Sequence, residues 1–297
     1  MGKSRIRESI GENIFNVFNM VLLFAVSVIV VYPFWNVLIV SFSDYATYAG
    51  KTVVLWPQKI TFAAYKYIFA TNQVPNAITI TVFITVVGTA LNMAMTLATA
   101  YALSKRYLPG RNFIFTIIII TMFFQGGLIP YFLQLSALGL RDSVWVMIFP
   151  LAISTWNMII VKNYFQTIPA EIEDSAKIDG ANDILILVRI VLPISMPVIA
   201  TFTLFYGVAR WNEWYHALLF INTPKLFPLQ RVLREIVITK SVNTNAQTAM
   251  DLSGDMAATS EGTRAAIIAV ALLPIAVVYP FLQKHFAKGV MVGAVKG

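Results

Sequence analysis

Long apolar runs alternate along the chain with shorter polar connectors. A helix that crosses a bilayer needs about 20 predominantly apolar residues, and six runs suit that length. We therefore predict an all-α, polytopic membrane protein whose six transmembrane helices lie at about residues 14–40, 76–103, 112–128, 144–165, 184–206 and 264–282. The first run is too long for the apolar part of a signal peptide, so it is expected to be an uncleaved span, bent near its outer end by Pro33.

Composition supports the bilayer as the main solvent. Hydrophobic residues make up 58% of the chain and charged residues 12%, against about 25% charged in ordinary soluble domains. The net charge of +8 is dispersed at the ends of segments and forms no stripe interleaved with aromatics, which argues against nucleic acid. There is no cysteine, and His216 and His285 lie far apart without a ligand pattern, so no metal site is predicted.

Basic residues also indicate the orientation. Lysine and arginine are frequent in the short flanks at 3–7, 105–111, 162–177 and 284–296. Because short cytoplasmic flanks are enriched in these residues, we predict that both termini are cytoplasmic. The connector at 167–183 is then cytoplasmic as well, and the long polar segment at 210–263 is an external loop.

The connector at 167–183 has the signals of a short helix, a turn and a second helix. Pro169 suits the first turn of a helix, Gly180 suits a left-handed helix end, and Asn182 or Asp183 can cap the next helix. Small residues at 175 and 176 leave a shallow face that another protein can approach closely. Three acidic residues lie near the positive end of the helix dipole, namely Glu171, Glu173 and Asp174.

The same connector resembles a known loop signature. Here Asp174-Ser175-Ala176 is followed after three residues by Gly180, and after nine more by Ile190 and Leu192-Pro193. This spacing is similar to the Glu-Ala-Ala, Gly, Ile-x-Leu-Pro loop of binding-protein-dependent ABC importer permeases. Asp174 and Ser175 depart from that pattern but keep the charge sign and the small size. Asp179-Gly180-Ala181 resembles the carbohydrate branch. Nearly the whole chain resembles the smaller maltose-type permease, and its ending, at 288–297, the relatives that import alginate or pectin oligosaccharides.

The resemblance implies an ABC importer type I permease fold in the bacterial cytoplasmic membrane, with residues 1–297 forming one permease domain. It implies a second homologous permease subunit, two ATP-binding subunits, an external solute-binding protein and an oligosaccharide substrate. ATP and Mg would belong to the partner ATPase, because this chain has no phosphate-binding Gly-x-x-x-x-Gly-Lys-Ser/Thr motif and no catalytic arrangement in an aqueous setting. We therefore predict no cofactor in this chain and no enzymatic activity.

Site residues follow from two sources. By resemblance, the loop at 170–182 couples to the ATPase through Glu173, Asp174, Ser175, Ala176, Asp179, Gly180 and Ala181. The tail would reach toward the ATPase, and a segment within 240–261 would contact the binding protein.

Polar residues in or beside the spans indicate a substrate pathway, because burying them in lipid is costly, and aromatic surfaces with hydrogen-bonding neighbours suit sugars. The candidates are Gln125, Asn157, Tyr206, Trp211, Asn212, Glu213 and Trp214. Interfacial aromatics and helix–helix hydrogen bonds are the alternatives for each of them.

Two other functions stay open at this point. The same architecture could carry a non-sugar solute such as a peptide, an amino acid or an anion. A secondary transporter or channel that needs no ATPase is the other alternative.

Overall fold

The computed structural model describes residues 10–48, 51, 53–124, 126–243 and 261–277. These residues contain no β-strand beyond an isolated antiparallel bridge between Ser43 and Ile60, so the all-α prediction is confirmed. The α-helices are α1 Ile10–Ser41, α2 Tyr45–Tyr48, α3 Ala63–Ala70, α4 Gln73–Ser104, α5 Arg111–Phe123, α6 Leu128–Ala137, α7 Thr155–Phe165, α8 Ala170–Ile178, α9 Asp183–Ile186, α10 Leu192–Ile194, α11 Met196–Trp211, α12 Tyr215–Phe220, α13 Leu229–Asn243 and α14 at residues 261–277.

The described residues divide into two compact units. One takes those within 1–70 and 242–270, and the other those within 71–241 and 271–297. In the first unit, α1 runs unbroken through Pro33 and has buried residues only near its end, at Ile39 and Ser41. A helix that is apolar on every side and unpacked over most of its length is suited to a lipid environment.

In the second unit, α4 is the central helix, and it packs against α7 and α11. The hydrophobic core lies among these helices and includes Ala100, Met158 and Phe202. The predicted second span agrees with α4, which begins three residues earlier than expected and ends one residue later.

The predicted span at 144–165 is not one helix. Two 3-10 turns, Val144–Met147 and Phe149–Leu151, precede α7 at an angle of 44°. Pro150 has no N–H and cannot donate to the backbone ladder. The side chain of Ser154 then caps α7 by accepting a hydrogen bond from the N–H of Asn157 at 3.4 Å.

The predicted span at 184–206 is also broken. A π-turn at Leu187–Val191 lies between α9 and α10, and the chain bends by 88° before α11 begins at Met196. Pro193 and Pro197 flank this bend, and each removes one backbone donor from the ladder. The helix that follows continues to Trp211, five residues beyond the predicted end.

Two further boundaries differ from the prediction. The third span, expected to reach residue 128, ends at Phe123, and residue 128 instead begins the separate helix α6. The predicted external loop at 210–263 is largely helical where it is described, because α12, a 3-10 turn at Pro224–Leu226 and α13 lie within it.

Within the described residues, two helices, α1 and α4, are each long and apolar enough to cross a membrane. Three further pairs of consecutive helices are bent at a short break, and each pair would add one span if its two helices were counted as one. The last predicted span is helical from residue 261, and its predicted end at 282 lies outside the described residues. The count of six spans stays a prediction.

Candidate functional site

The connector at 167–183 forms the helix–turn–helix elbow that the sequence predicts. Pro169 stands immediately before α8 instead of inside its first turn. Gly180 has a φ of +83°, and the N–H of Ala181 donates to the carbonyl of Ala176 at 2.9 Å, as in a Schellman ending. Asn182 caps the next helix by accepting from the N–H of Leu185 at 2.8 Å.

The predicted coupling residues lie on two sides of this elbow. Glu173 faces the protein, where it pairs with Lys105 at the end of α4, and only 11% of either side chain is exposed. Ala176 and Ala181 are half-buried against the hydrophobic core. The exposed members are Asp174, Ser175, Asp179 and Gly180.

An exposed isoleucine adds apolar surface to the elbow. Ile178, the last residue of α8, is 87% exposed. We call the exposed side formed by Asp174, Ser175, Ile178, Asp179 and Gly180 the elbow surface. It combines one large apolar group with two carboxylates and two small residues, which is a suitable composition for contact with another protein.

A second contact fixes the elbow to the connector between α4 and α5. The hydroxyl of Tyr107 donates to Oδ1 of Asp183 at 2.8 Å. The ammonium group of Lys177 lies 3.8 Å from the same oxygen and 4.3 Å above the Tyr107 ring. Partial burial, followed by the hydrogen bond to Asp183, raises the pKa of Tyr107. The two ends of the elbow are therefore held together through Tyr107.

A buried arginine forms the second candidate feature. Arg210, in the last turn of α11, is 3% exposed. Its Nε and Nη2 both donate to Oδ1 of Asn92 on α4 at 2.8 Å. Its Nη1 donates to the carbonyl of Met147 at 2.6 Å, and its Nη2 to that of Leu151 at 2.5 Å. A planar guanidinium suits several fixed acceptors of this kind.

The break before α7 explains why the carbonyl of Met147 is free to accept from the arginine. In a 3-10 turn the N–H of residue 150 would donate to the carbonyl of Met147, but residue 150 is a proline and has no N–H. A backbone carbonyl without a donor is costly in an apolar interior. Gly88 leaves space for the arginine, because an added Cβ would lie 3.0 Å from both Cδ and Nε of Arg210. The arginine therefore stabilises the non-helical segment.

Tyr206 extends this polar network. Its hydroxyl is 2.7 Å from Oγ1 of Thr96 on α4 and accepts from the N–H of Ser154 at 3.3 Å. Tyr206 is buried, so in this conformation it joins three helical segments and does not face an open cavity. Asn157 is half-buried at the start of α7.

The remaining predicted pathway residues do not converge on one point. Trp211 is buried and donates to the carbonyl of Ala271 at 3.1 Å. Glu213 accepts from the N–H and Nδ1 of His216, at 2.9 and 3.1 Å. Asn212 is exposed, and the guanidinium of Arg234 lies 3.9 Å above the ring of Trp214. Gln125 lies outside the described residues.

Arg210 directly precedes the predicted pathway residues Trp211 and Asn212, but the sequence does not identify its partner. Asn92 lies 118 residues away, and no local pattern connects the two. The available signal was an arginine at the end of an apolar run, since ionisable residues in such positions are commonly functional.

The family model described as "Binding-protein-dependent transport system inner membrane component" matches residues 1–292. The chain belongs to this family. It is therefore a transport permease of the inner membrane and not an enzyme. The family description also implies, in general terms, a binding protein and further subunits of a transport system.

Relatives and a solved structure agree with this assignment. The permease is 45% identical over 285 residues to "Protein LplC" of Bacillus subtilis (strain 168), covering 96% of this chain and 95% of that protein. It is 44% identical over 288 residues to the "Polygalacturonan/rhamnogalacturonan transport system permease protein YtcP" of the same organism, covering 95% and 97%. A solved bacterial ABC transporter involved in the import of the acidic polysaccharide alginate has a chain that is 31% identical, with a TM-score of 0.85 and coverage of 94% and 99%. The predicted ABC importer type I permease fold is thus confirmed.

Proposed function

We propose that this permease forms half of the translocation pore of an ATP-driven importer for oligosaccharides, in particular fragments of acidic plant or algal polysaccharides. The observation that carries the substrate class is 44% identity over 95% of the chain to a permease named for polygalacturonan and rhamnogalacturonan transport. The alginate importer adds independent support, because its cargo is also an acidic polysaccharide. We place the permease in the bacterial cytoplasmic membrane with both termini in the cytoplasm.

The proposed importer has further subunits. A second homologous permease completes the pore, two ATP-binding subunits hold ATP and Mg, and an external solute-binding protein delivers the oligosaccharide. The elbow surface docks on one ATP-binding subunit. Its exposed Ile178 and acidic residues support this role, as does its fixation to the body of the permease through Lys105 and Tyr107.

Coupling then follows a defined route. Movement of the docked subunit is transmitted from α8 to the end of α4 through the ion pair between Glu173 and Lys105. Because α4 packs against α7 and α11, a shift of α4 changes the surroundings of the pore helices. Docking must favour the inward-facing and outward-facing states differently, since a ligand shifts an equilibrium only through differential affinity.

An exposed arginine is the better candidate for contact with an acidic sugar. Arg210 and Arg231 are buried and donate to backbone carbonyls. Arg234 is exposed and lies over Trp214, so it can present a guanidinium to a carboxylate beside an aromatic surface. Replacement of Arg234 by glutamine should reduce the uptake of oligogalacturonates more than that of neutral oligosaccharides.

Reconstituted transport tests the proposal. The complete complex in liposomes should accumulate oligogalacturonate only when ATP is present. Gly180→Val should insert normally but lose substrate-stimulated ATP hydrolysis and uptake, because valine is strained at positive φ. Gly139→Val is the matched control, since Gly139 also has a positive φ of 72° and open space but lies outside the elbow. Uptake without ATP, or equal activity of the two variants, would contradict the proposal.

A further inference from the structure

Three basic residues of the second unit, on the same side as the elbow at 167–183, form no ion pair with an acidic residue. Arg106 follows the end of α4, Arg111 begins α5, and Lys162 lies in the last turn of α7. Within the described part of the chain, the ion pairs on this side are Lys105 with Glu173 and Lys177 with Asp183, and none involves these three residues.

Lys162 is the most enclosed of the three. It is 6% exposed, and its ammonium group donates to Oε1 of Gln166 at 3.3 Å and lies 4.5 Å from the centre of the Phe115 ring. The charge of Arg111 acts against that of Lys162. Nε of Arg111 is itself buried and has no hydrogen-bond partner. The like charges of Lys162 and Arg111 raise the local positive potential, which favours a bound anion. The acidic residues nearest to Arg106 and Arg111, Glu173 and Asp174, line a separate, larger cavity that the two arginines also border.

Arg106 and Arg111 border an open cleft at the start of α5. The cleft measures about 430 Å³ and is lined by Arg106, Leu108, Gly110, Arg111, Asn112 and Phe113, with no acidic residue among them. The first turn of a helix leaves N–H groups without intrahelical acceptors, and the helix dipole favours negative charge there. Gly110 has no neighbouring atoms within 4 Å of an added Cβ, so the entrance is clear.

An apolar surface continues from the cleft along α5. Phe113 is exposed, and Ile114 and Ile117 follow it as exposed residues of the same helix. Guanidinium groups and a helix start are well suited to phosphate oxygens, and the apolar helix beside them suits acyl chains. We propose that Arg106, Arg111 and the first turn of α5 bind a phosphate group, supplied by an anionic phospholipid or by free phosphate, with Lys162 strengthening the local potential.

The test uses the purified complex and two probes, phosphatidylglycerol and inorganic phosphate. Native mass spectrometry measures how much phosphatidylglycerol each variant retains, and competition with inorganic phosphate is measured in the same samples. Arg106→Gln and the double variant Arg106→Gln with Arg111→Gln are compared with Lys66→Gln, an exposed lysine in the other unit. Thermal unfolding of each sample checks that the variants are folded.

We expect the double variant to bind about tenfold more weakly or worse, because each charge-assisted contact contributes more than a neutral one. Arg106→Gln, which alters an exposed side chain, should show part of that loss, and Lys66→Gln should stay within about twofold of the unmodified protein. Retention of phosphatidylglycerol that inorganic phosphate does not displace would identify a lipid site, whereas displacement would identify a phosphate site. Equal retention in all variants, or an equal loss in Lys66→Gln, would overturn the proposal. The proposed phosphate site does not depend on the identity of the transported substrate.

Discussion

Replacing Arg210 by leucine removes the group that satisfies the non-helical segment before α7. The leucine fills part of the space but donates no hydrogen bond. Oδ1 of Asn92 and the carbonyls of Met147 and Leu151 would then lose their charged donor. Arg210→Lys should have an intermediate effect, because an ammonium group keeps the charge but lacks the planar fork.

The size of the effect can be bounded from these three acceptors. A hydrogen bond to a charged group contributes about 1.5–3 kcal/mol in soluble proteins, whereas interhelical hydrogen bonds in a membrane protein average about 0.6 kcal/mol. Removing the arginine also removes the cost of burying its charge, which favours the lower part of the range. We expect Arg210→Leu to lower the free energy of unfolding by about 2–4 kcal/mol.

Unfolding in sodium dodecyl sulfate, followed by the fluorescence of the six tryptophans, measures this change. Arg189→Leu is the matched control, because Arg189 is exposed and should cost less than about 0.5 kcal/mol. A double-mutant cycle with Asn92→Ala should give a coupling energy of about 1 kcal/mol or more. Equal stability of the Arg210 and Arg189 variants would refute the structural role of the buried arginine.

Three further predictions follow from named contacts. Gly88→Ala should destabilise the permease by about 1–3 kcal/mol in the same unfolding assay, whereas Gly207→Ala, whose Cβ meets a single atom at 3.8 Å, should be tolerated better. Hydrogen bonds from the side chain of Thr223 and the adjacent backbone lower the pKa of Asp142. The contribution of the Asp142 carboxylate to stability is therefore complete above its ordinary pKa of about 3.9 and is lost as the pH falls through the lowered pKa. Asp142→Asn should be less stable than the unmodified protein at pH 7 and equally stable in strong acid. Lys105→Glu should impair ATP-coupled uptake, and the exchanged pair Lys105→Glu with Glu173→Lys should recover part of it; no recovery would argue against transmission through this ion pair.

Local sequence signals were sufficient to predict the elbow. A left-handed glycine and an asparagine cap act within a few residues, so Gly180 and Asn182 lie in the structure as the sequence predicts. The long apolar run of α4 was recognised for the same reason. The inward position of Glu173 was not foreseeable, because it depends on Lys105, which is 68 residues away.

The broken spans show what apolar patterning leaves out. A window of apolar residues predicts membrane location but does not distinguish a continuous helix from 3-10 turns held by a distant side chain. Pro150 was the local indication of a break, and Arg210 is what makes the break tolerable in an apolar setting. The substrate pathway was harder still, since Tyr206 and Trp211 proved to be buried in contacts between helices.

The most direct test of ATP coupling uses labelling of the elbow surface. The chain contains no cysteine, so Ser175→Cys provides a single reactive thiol on an exposed position of α8. A membrane-impermeant maleimide should label it in inverted membrane vesicles stripped of the ATP-binding subunits, but neither in intact cells nor after those subunits are added back. Labelling in intact cells, or labelling that the ATP-binding subunits do not reduce, would contradict the proposed coupling.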